Sequence, residues 1–497
     1  MAGTVNNRKQ VVVVGAGIGG LTAAADLAVR GWRVTLVERH AQVGGKMRQL
    51  AVGPAQIAAG PTVLTLRDVF DDLFAQAGES LDEHVQLQPL DVLARHAWPD
   101  GSQLDLYADA RRSAQAIAEL AGPAEALGFE KFLSYARGIW QTVEGPFVRG
   151  QRPTPLSILR SHGLRAAPML ARIDSRRSMW QALGGFFADR RLRQLFGRYA
   201  TYTGCSPFLA PATLNLVAWV EASGVWQVQG GIWNLAGALL GLMQRHGGVL
   251  RCGQGVARIL TDGGRASGVE LEDGEILRAD AVVFGGDASA LAEGLLGPAV
   301  SRAVAGVEPE GRSLSALTWC LHTQTSGFAL HHHNVFFGPD YPEEFEAIFR
   351  RSELPETPTV YVCAQDRGEG QQPQGPERLL VLVNAPAVGD RRGGVPEAEL
   401  RACQERTWRH LEALGLTLHA DGAAVRTGPA EFEGLFPASG GALYGAANHS
   451  WSASLQRPGA QTQVPGLYLV GGTAHPGAGV PMAALSGRLA AQALAGD

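Results

Sequence analysis

The order of polar and apolar positions near the start of the chain predicts a βαβ unit. Residues 11–14 are four consecutive valines, and such a run is typical of a strand buried on both faces of a parallel sheet. Small and aliphatic residues then continue to about Val29, and polar and apolar residues alternate over 33–37 before the chain reaches Glu38. These periods predict a helix followed by a second strand.

The turn between the first strand and the helix contains glycines in GxGxxG spacing, at Gly15, Gly17 and Gly20. In this spacing the first glycine allows the tight turn, the second lets a pyrophosphate approach the backbone, and the third lets the helix pack on the strand. Ile18 and Gly19 complete the turn, and the helix N-terminus faces the phosphates. The sequence therefore predicts a dinucleotide site.

Glu38 ends the second strand, where a carboxylate accepts hydrogen bonds from ribose hydroxyls. The chain continues with Gly44, Gly45 and Lys46, a second glycine pair that a plain NAD site does not need. The pair returns the backbone to the cofactor, and Lys46 can offer its ammonium to phosphate oxygens. Here the chain resembles the FAD-binding amine oxidase and carotenoid desaturase superfamily, and the resemblance implies FAD.

Three later segments are expected to return to this cofactor. In the resembled family a Gly-Pro-Thr segment like the one here lies beside the flavin, and the backbone near Val256 holds the adenine. The last motif is a buried strand at 467–470, a glycine turn and a small-residue helix, whose N-terminus can serve the electron-rich end of the isoalloxazine. The residues expected at the flavin are Gly60, Pro61, Thr62, Val63, Gly472, Pro481, Met482 and Ala483.

The rest of the chain predicts a second, inserted domain. Residues 76–198 are predicted to be mixed and mostly helical, and strands are predicted at 315–322, 359–363 and 379–383. Residues 247–287 alternate as strands with hairpin turns at 263–264 and 273–274 and are expected to return to the first domain. We expect an α/β fold with a discontinuous Rossmann-like FAD-binding domain at 1–75, 235–295 and 440–497. An α+β domain at 76–234 and 296–439 would bind the substrate and associate with a membrane.

Charge and composition limit the kinds of molecule that the protein is expected to bind. The chain has 497 residues and a formal net charge of −4, which gives no broad field for nucleic acid. Its five cysteines are scattered and predict buried, reduced thiols. Residues 149–177 carry seven arginines against one acid, interleaved with apolar residues, as on a surface that contacts an anionic bilayer; a solvated helical face is the alternative. No transmembrane helix or secretory signal is evident, and we expect a cytoplasmic protein peripherally associated with the inner membrane.

Two other features bear on the site. His331, His332 and His333 invite a metal, but consecutive residues of a strand point to alternate faces and no cysteine or carboxylate lies at ligand spacing, so no metal is expected. From 199 to 243 the only charged side chain is Glu221. The lack of charged side chains predicts that this segment lines a cavity and does not form one regular helix. An ordinary buried core is the alternative.

Over its whole length the chain resembles bacterial phytoene-desaturase-type carotenoid enzymes, through GAGIGG, VGGK, AGPTV, GGIWNLAGAL, RPG and HPGAGVP. Its variants, including RYATYTGCSPFLAPA, are similar to the purple-bacterial desaturases of 1-hydroxycarotenoids in spheroidene synthesis. The resemblance implies 3,4-desaturation of 1-hydroxyneurosporene or a related 1-hydroxy or 1-methoxy carotenoid, with hydride passing to flavin N5. The alternatives are a multi-step phytoene desaturase, an amine oxidase and a non-catalytic lipid carrier. The sequence does not identify what reoxidises the flavin, and oxygen and a quinone are the candidate acceptors.

Discrimination of a 1-hydroxylated end group requires polar side chains, because a hydrophobic pocket cannot strongly reject one extra hydroxyl. The segment before the last motif, GALYGAANHSW, supplies Tyr444, Asn448 and His449, and the charge-poor segment supplies Tyr202 and Thr203 as second choice. For each of them the alternative is a satisfied polar group in a turn. No catalytic acid or base is identified.

Overall fold

The computed structural model describes residues 9–153, 172–368, 372–419, 422–450 and 453–496. The strands are β1 Gln10–Val14, β2 Arg33–Glu38, β3 Gln49–Val52, β4 Ala55–Ala58, β5 Leu87–Pro89, β6 Val92–Ala97, β7 Gln103–Tyr107, β8 Trp226–Val228, β9 Val249–Cys252, β10 Val256–Asp262, β11 Arg265–Leu271, β12 Ile276–Arg278, β13 Ala281–Phe284, β14 Ser315–Thr323, β15 Thr325–Gly327, β16 His333–Phe336, β17 Val360–Ala364, β18 Glu377–Ala385, β19 Leu416–Leu418, β20 Ala423–Thr427 and β21 Leu467–Leu469.

The helices are α1 Ile18–Val29, α2 Asp68–Gln76, α3 Ala110–Ala121, α4 Pro123–Val143, α5 Met179–Leu183, α6 Arg190–Gly197, α7 Leu216–Ala222, α8 Trp233–Arg245, α9 Ala288–Ala292, α10 Tyr341–Glu346, α11 Glu397–Ala413, α12 Pro429–Leu435, α13 Ala453–Gln456 and α14 Val480–Ala495. Tighter helical turns connect several of them, including one at Arg198–Thr203.

The first sheet is parallel, with strand order β21-β13-β1-β2-β9. Both faces of β1 are buried: Val11 and Val13 pack against α1, α8 and α14, and Val12 and Val14 pack against β10, β11 and α9. The valine run is continuous because neither face meets water. The predicted βαβ unit is confirmed, and the sheet draws its strands from three separated stretches of the chain.

The second sheet has seven strands in the order β20-β14-β18-β17-β16-β6-β7 and is antiparallel except between β16 and β6. Alternate side chains cover its two faces. Trp319 and Val362 lie on the face under α11. Cys320 and Tyr361 lie on the other face, in a core that includes α4, α6 and residues near Val63. This second face is the one that meets the cofactor motifs.

The local element predictions agree with the structure. The strands expected at 315–322, 359–363 and 379–383 and the hairpin at 263–264 are confirmed, and 199–243 forms short helices, a strand and α8 rather than one helix. The domain boundaries stay predictions. Much of the arginine-rich segment, 154–171, lies outside the described residues. In the described part of the chain, no helix has the length and apolar character needed to cross a membrane.

Candidate active site

The turn between β1 and α1 places its glycines in three different environments. Gly15 has a φ of +95°, which favours glycine, and its N–H donates to Val37 O at 2.8 Å. A Cβ on Gly20 would lie 2.0 Å from Gly15 O, so only glycine lets α1 approach the turn this closely. A Cβ on Gly17 would meet no protein atom within 4 Å. The backbone at Gly17 is therefore approachable, as a pyrophosphate requires.

Glu38 closes the same turn from the end of β2. Its side chain is buried, with one oxygen accepting from Ala16 N at 2.7 Å and the other from His40 N at 2.9 Å. Gln254 N donates to Glu38 O at 3.0 Å, which brings the start of β10, at Val256, to the same end of the sheet. The contacts of Glu38 with a ribose and of Val256 with an adenine stay predictions.

The second glycine pair folds back onto the first. Gly44 pairs with Gly17 as an isolated parallel bridge, and both Gly44 and Gly45 have positive φ, +117° and +56°. A Cβ on Gly45 would lie 3.0 Å from Gly17 Cα. The pair therefore lies against the dinucleotide turn, and its approach to the cofactor stays a prediction.

The Gly-Pro-Thr segment lies directly on the residue that follows this pair. A Cβ on Gly60 would lie 1.9 Å from Lys46 O, so glycine is required where the two backbones touch. Gly60, Pro61, Thr62 and Val63 all remain partly accessible. The structure therefore brings this segment beside the dinucleotide motif, where its predicted contacts with the flavin stay predictions.

Lys46 contacts a distant part of the chain through its side chain. Its ammonium donates to Leu443 O at 2.6 Å and lies 5.1 Å from the ring centroid of Phe436. Burial lowers the pKa of Lys46, and the nearby Asp287 carboxylate opposes that shift. The side chain thus ties the first motif to residue 443, and a contact with phosphate stays a prediction.

The C-terminal motif packs on the start of α1. A Cβ on Gly19 would lie 2.6 Å from Gly471 N and 3.1 Å from Ala483 O, and one on Gly487 would lie 2.5 Å from Gly19 O. Small residues are therefore necessary on both helices at this contact. As a result, the N-termini of α1 and α14 lie next to each other, although they are far apart in the sequence.

These two N-termini fit an electron-rich dinucleotide. Glycines, Gly17 and Gly479, precede the two helices and provide no side-chain cap, so first-turn N–H groups are available to a ligand. The residues present thus suit FAD. The turn at 17–20 and Glu38 would hold its adenosine diphosphate half, and the isoalloxazine would lie near Gly472, Pro481, Met482 and Ala483. These individual assignments stay predictions.

Replacing Glu38 by alanine should lower the retention of FAD. The change removes a charged acceptor, and hydrogen bonds to charged groups contribute about 1.5–3 kcal/mol, which is roughly 10- to 100-fold in affinity. Flavin absorbance after dialysis measures the effect, and Glu130→Ala, an exposed site on α4, is the matched control. Flavin content equal to that of the control would contradict the assignment.

The five predicted substrate contacts come from two segments, 202–206 and 444–449, that pack on each other. Three contacts join them: a Cβ on Gly204 would lie 2.4 Å from Tyr444 Cδ2, Asn448 N donates to Cys205 Sγ at 3.1 Å, and Ser206 N donates to His449 Nε2 at 3.0 Å. The structure therefore brings first- and second-choice residues to one place, as a shared site requires.

Two of the five side chains are already engaged locally. The imidazole of His449 accepts from Ser206, packs edge-on against Phe349, and has its pKa lowered to about 4 by burial. Thr203 Oγ1 donates to Ala200 O at 3.1 Å. Both side chains hold the local structure, and their geometry gives no support to a substrate contact.

A buried polar cluster that sequence patterns do not reveal is centred on Arg198. Its guanidinium carbon lies 5.4 Å from the ring centroid of Tyr202 and 5.3 Å from that of Tyr361. Tyr202 OH donates to Glu221 Oε1 at 2.7 Å, and Tyr199 OH donates to Glu221 Oε2. Burial raises the pKa of Glu221. We call these five residues the Arg198 cluster.

The Arg198 cluster reaches the cofactor motifs through Tyr361. The phenol oxygen of Tyr361 lies 2.7 Å from Thr62 Oγ1 and 2.6 Å from His333 Nδ1. Arg198 and Tyr202 lie deep in the protein yet remain partly accessible, which is typical of side chains that line an internal cavity. The cavity expected in the charge-poor segment stays a prediction, and the side chains beside Glu221 are more polar than the sequence indicates.

Arg457, in the RPG segment, is a second buried cation. It is 4% exposed and donates to three backbone oxygens: from Nη1 to Gly472 O at 2.6 Å and to Tyr444 O at 3.1 Å, and from Nη2 to Ala446 O at 3.0 Å. Burial lowers its pKa. Arg457 therefore fastens the segment at 444–446 to the glycine turn of the last motif.

The spacing argument against a metal is wrong on one point. β16 pairs with β17 so that Cys363 lies opposite His333, and Cys363 Sγ is 3.7 Å from His332 Nε2. The other ring nitrogen of His332 contacts Arg367 O at 3.0 Å. Burial raises the pKa of the Cys363 thiol to about 12 and lowers that of His332 to about 4. That no metal binds stays a prediction.

Comparison with known proteins agrees with this geometry. Residues 18–495 match the family described as flavin containing amine oxidoreductase. The chain is 53% identical to a hydroxyneurosporene desaturase of Rubrivivax gelatinosus, over 98% of this chain and 93% of that protein. It is 47% identical to a hydroxyneurosporene desaturase of Cereibacter sphaeroides, over 98% of both chains.

The fold is shared with solved structures at much lower identity. A crystal structure of an oxidoreductase from Methanosarcina mazei aligns with a TM-score of 0.62 and 17% identity, covering 98% of this chain and 100% of that one. The resemblance to carotenoid desaturases is confirmed, as are the expected α/β fold and FAD cofactor. With a match from α1 to the end of α14, the chain belongs to the flavin-containing amine oxidoreductase family.

Proposed function

We propose that this protein is a carotenoid desaturase, which introduces a C–C double bond next to a polyene. Its substrate would be 1-hydroxyneurosporene or a related 1-hydroxy or 1-methoxy carotenoid, desaturated at the 3,4 position. The observation that carries the proposal is the 53% and 47% identity, over nearly the whole chain, to hydroxyneurosporene desaturases. Alignments of that length span both the cofactor motifs and the second sheet.

The arrangement of the described residues suits this chemistry. Bound FAD would accept a hydride from one carbon, while the adjacent carbon loses a proton. The residues then have to hold the polyene in place and exclude water. The face of the second sheet that meets the cofactor motifs carries apolar side chains such as Cys320 and Leu380, and the Arg198 cluster adds polar groups to the same core. Apolar side chains beside a polar cluster suit a carotenoid with one oxygenated end.

Product analysis tests the proposal directly. Flavin-loaded protein supplied with 1-hydroxyneurosporene in liposomes, under oxygen or with a quinone, should yield a product two hydrogens lighter with absorption at longer wavelength. Conversion of phytoene through several steps without preference for the hydroxylated carotenoid would favour the multi-step desaturase instead. Retained flavin without turnover of any carotenoid would favour a carrier, and oxidation of an amine would favour an amine oxidase.

Contact with a membrane surface is a further part of the proposal, because the substrate is insoluble in water. Leu209 is 52% exposed, and its neighbour Ala210 accepts a hydrogen bond from Met179 N, which joins its segment to the one that carries the exposed Arg172 and Arg176. Cations and an exposed aliphatic side chain on adjoining segments suit an anionic bilayer. Arg177, in contrast, is paired with Asp174 at 2.5 Å.

The double variant Arg172→Gln/Arg176→Gln should bind anionic liposomes more weakly. Each cation near a negative surface contributes about 1 kcal/mol, so a drop of roughly 30-fold is expected at low salt, and the difference should shrink at high salt. Sedimentation with liposomes measures it. Arg392→Gln/Arg401→Gln, which removes two exposed arginines elsewhere, is the control, and equal binding by the two double variants would contradict the prediction.

A further inference from the structure

We propose that Arg198 is the residue that recognises the oxygenated end of the substrate, by donating hydrogen bonds to the oxygen on C1. The inference rests on the proposed function and assigns a specificity site within it. It moves the predicted discriminator from the turn at 448–449 to the Arg198 cluster.

The first support is the unused hydrogen-bonding capacity of Arg198. A guanidinium has five N–H donors, and within the described residues the guanidinium of Arg198 makes one hydrogen bond, from Nη1 to Tyr202 OH at 3.5 Å, and no ion pair. Arg457, equally deep, donates to three carbonyls. Arg198 also keeps part of its surface accessible, whereas Arg457 does not. A guanidinium that is deep in the protein, has free donors and keeps part of its surface accessible is suited to a ligand acceptor.

The second support is position. The guanidinium is held between the rings of Tyr202 and Tyr361, and Tyr361 contacts Thr62 of the Gly-Pro-Thr segment. That segment lies on Lys46 of the dinucleotide motif. In a 1-hydroxycarotenoid only a few bonds separate the oxygen from the carbons that are oxidised. The residue that recognises this oxygen must therefore lie close to the cofactor motifs, to which Arg198 is joined through Tyr361 and Thr62.

The chemistry of the cluster predicts which end groups are accepted. A guanidinium only donates, and the hydroxyl of Tyr202 is directed to Glu221 Oε1. A hydroxyl and a methoxy oxygen can both accept from Arg198, whereas a hydrocarbon end cannot. A hydrocarbon would displace water from the cation and supply no partner, which is the situation in which a polar site rejects an analogue strongly.

The test compares Arg198→Met with the native protein on three substrates: 1-hydroxyneurosporene, its 1-methoxy ether and neurosporene. The ratio of kcat/KM for each oxygenated substrate to that for neurosporene should fall by about 10- to 100-fold. Arg190→Met, an exposed arginine on α6 close in the chain, should leave the ratio unchanged. Arg198→Lys, which keeps the charge but not the planar fork, should restore part of it.

The outcomes separate this inference from the function on which it rests. Equal losses on all three substrates with flavin retained would mean that Arg198 only supports the fold, and would overturn it. A loss confined to the hydroxyl substrate would also overturn it, because the ether accepts as well as the alcohol. If Arg198→Met loses flavin, the same kcat/KM ratio is measured for Arg198→Lys and Arg198→Gln. A ratio equal to that of the native protein in both variants would then overturn the inference. A native protein that keeps flavin but converts none of the carotenoids would instead refute the proposed function.

Discussion

Gly20→Ala should abolish FAD retention, and Gly17→Ala should also weaken it strongly, but only the first should unfold the flavin-free protein. A methyl group on Gly20 would lie 2.0 Å from Gly15 O. Because that contact is with backbone, α1 would have to move away from the sheet, and a clash of this kind belongs to the changes that cost more than about 4 kcal/mol.

Gly17 offers the matched contrast within the same turn. Its φ is −70°, which alanine adopts without strain, and an added Cβ would meet no protein atom within 4 Å. Gly17→Ala should therefore melt like the native protein after removal of flavin. With FAD, the methyl group would crowd the pyrophosphate, and overpacking costs of about 1–3 kcal/mol predict roughly 10- to 100-fold weaker retention.

Thermal unfolding with and without flavin, together with flavin absorbance after dialysis, measures both effects. Native-like flavin content in Gly17→Ala would show that the pyrophosphate does not lie at this turn. Native-like melting of flavin-free Gly20→Ala would show that α1 does not depend on the close approach seen in the structure. Each variant adds one methyl group to the same turn. A general sensitivity of this turn to mutation would therefore lower the stability of both flavin-free variants, not that of Gly20→Ala alone.

Local patterns in the sequence were sufficient for the elements that hold the cofactor. A strand buried on two faces has to be continuously apolar, so the pattern at residues 11–14 predicts a strand by itself. A hairpin has to reverse at residues that accept positive φ, so the glycines at 263–264 predict a turn without knowledge of the rest of the chain. The C-terminal motif is recognisable for a similar reason, since Gly19 and Gly487 must both be small where two helices touch.

The polar part of the site could not be found in this way, because long-range packing creates it. Arg198 resembles any arginine at the end of a helix until Tyr361, far along the chain, is placed against it. Cys363 approaches His332 only through the pairing of two strands. Glu221 was visible as the one charge in a long apolar stretch, but its two tyrosine partners were not. The imidazole of His449 could in principle bind a hydroxyl, but its Nε2 already accepts a hydrogen bond from Ser206 N.

Arg457 leads to the last expectation: Arg457→Met should destabilise the protein more than most single changes. Its guanidinium donates to the carbonyls of Tyr444, Ala446 and Gly472, all in the layer between the substrate segment and the last motif. Methionine fills the space but leaves three acceptors without a donor, and each buried group left unsatisfied costs about 1–3 kcal/mol. Burial of the cation is itself unfavourable, so its removal offsets part of the cost of the three unsatisfied carbonyls.

The net expectation is a loss of about 2–4 kcal/mol in the free energy of unfolding, measured by chemical denaturation of the flavin-free protein. Arg457→Lys keeps a donor but cannot reach three carbonyls with fixed geometry, so its stability should fall between those of the native protein and Arg457→Met. Arg190→Met controls for loss of an arginine at an exposed site. If Arg457→Met is as stable as this control, desolvation of the guanidinium cancels its three hydrogen bonds. In that case the segment at 444–446 is held to the glycine turn by packing alone.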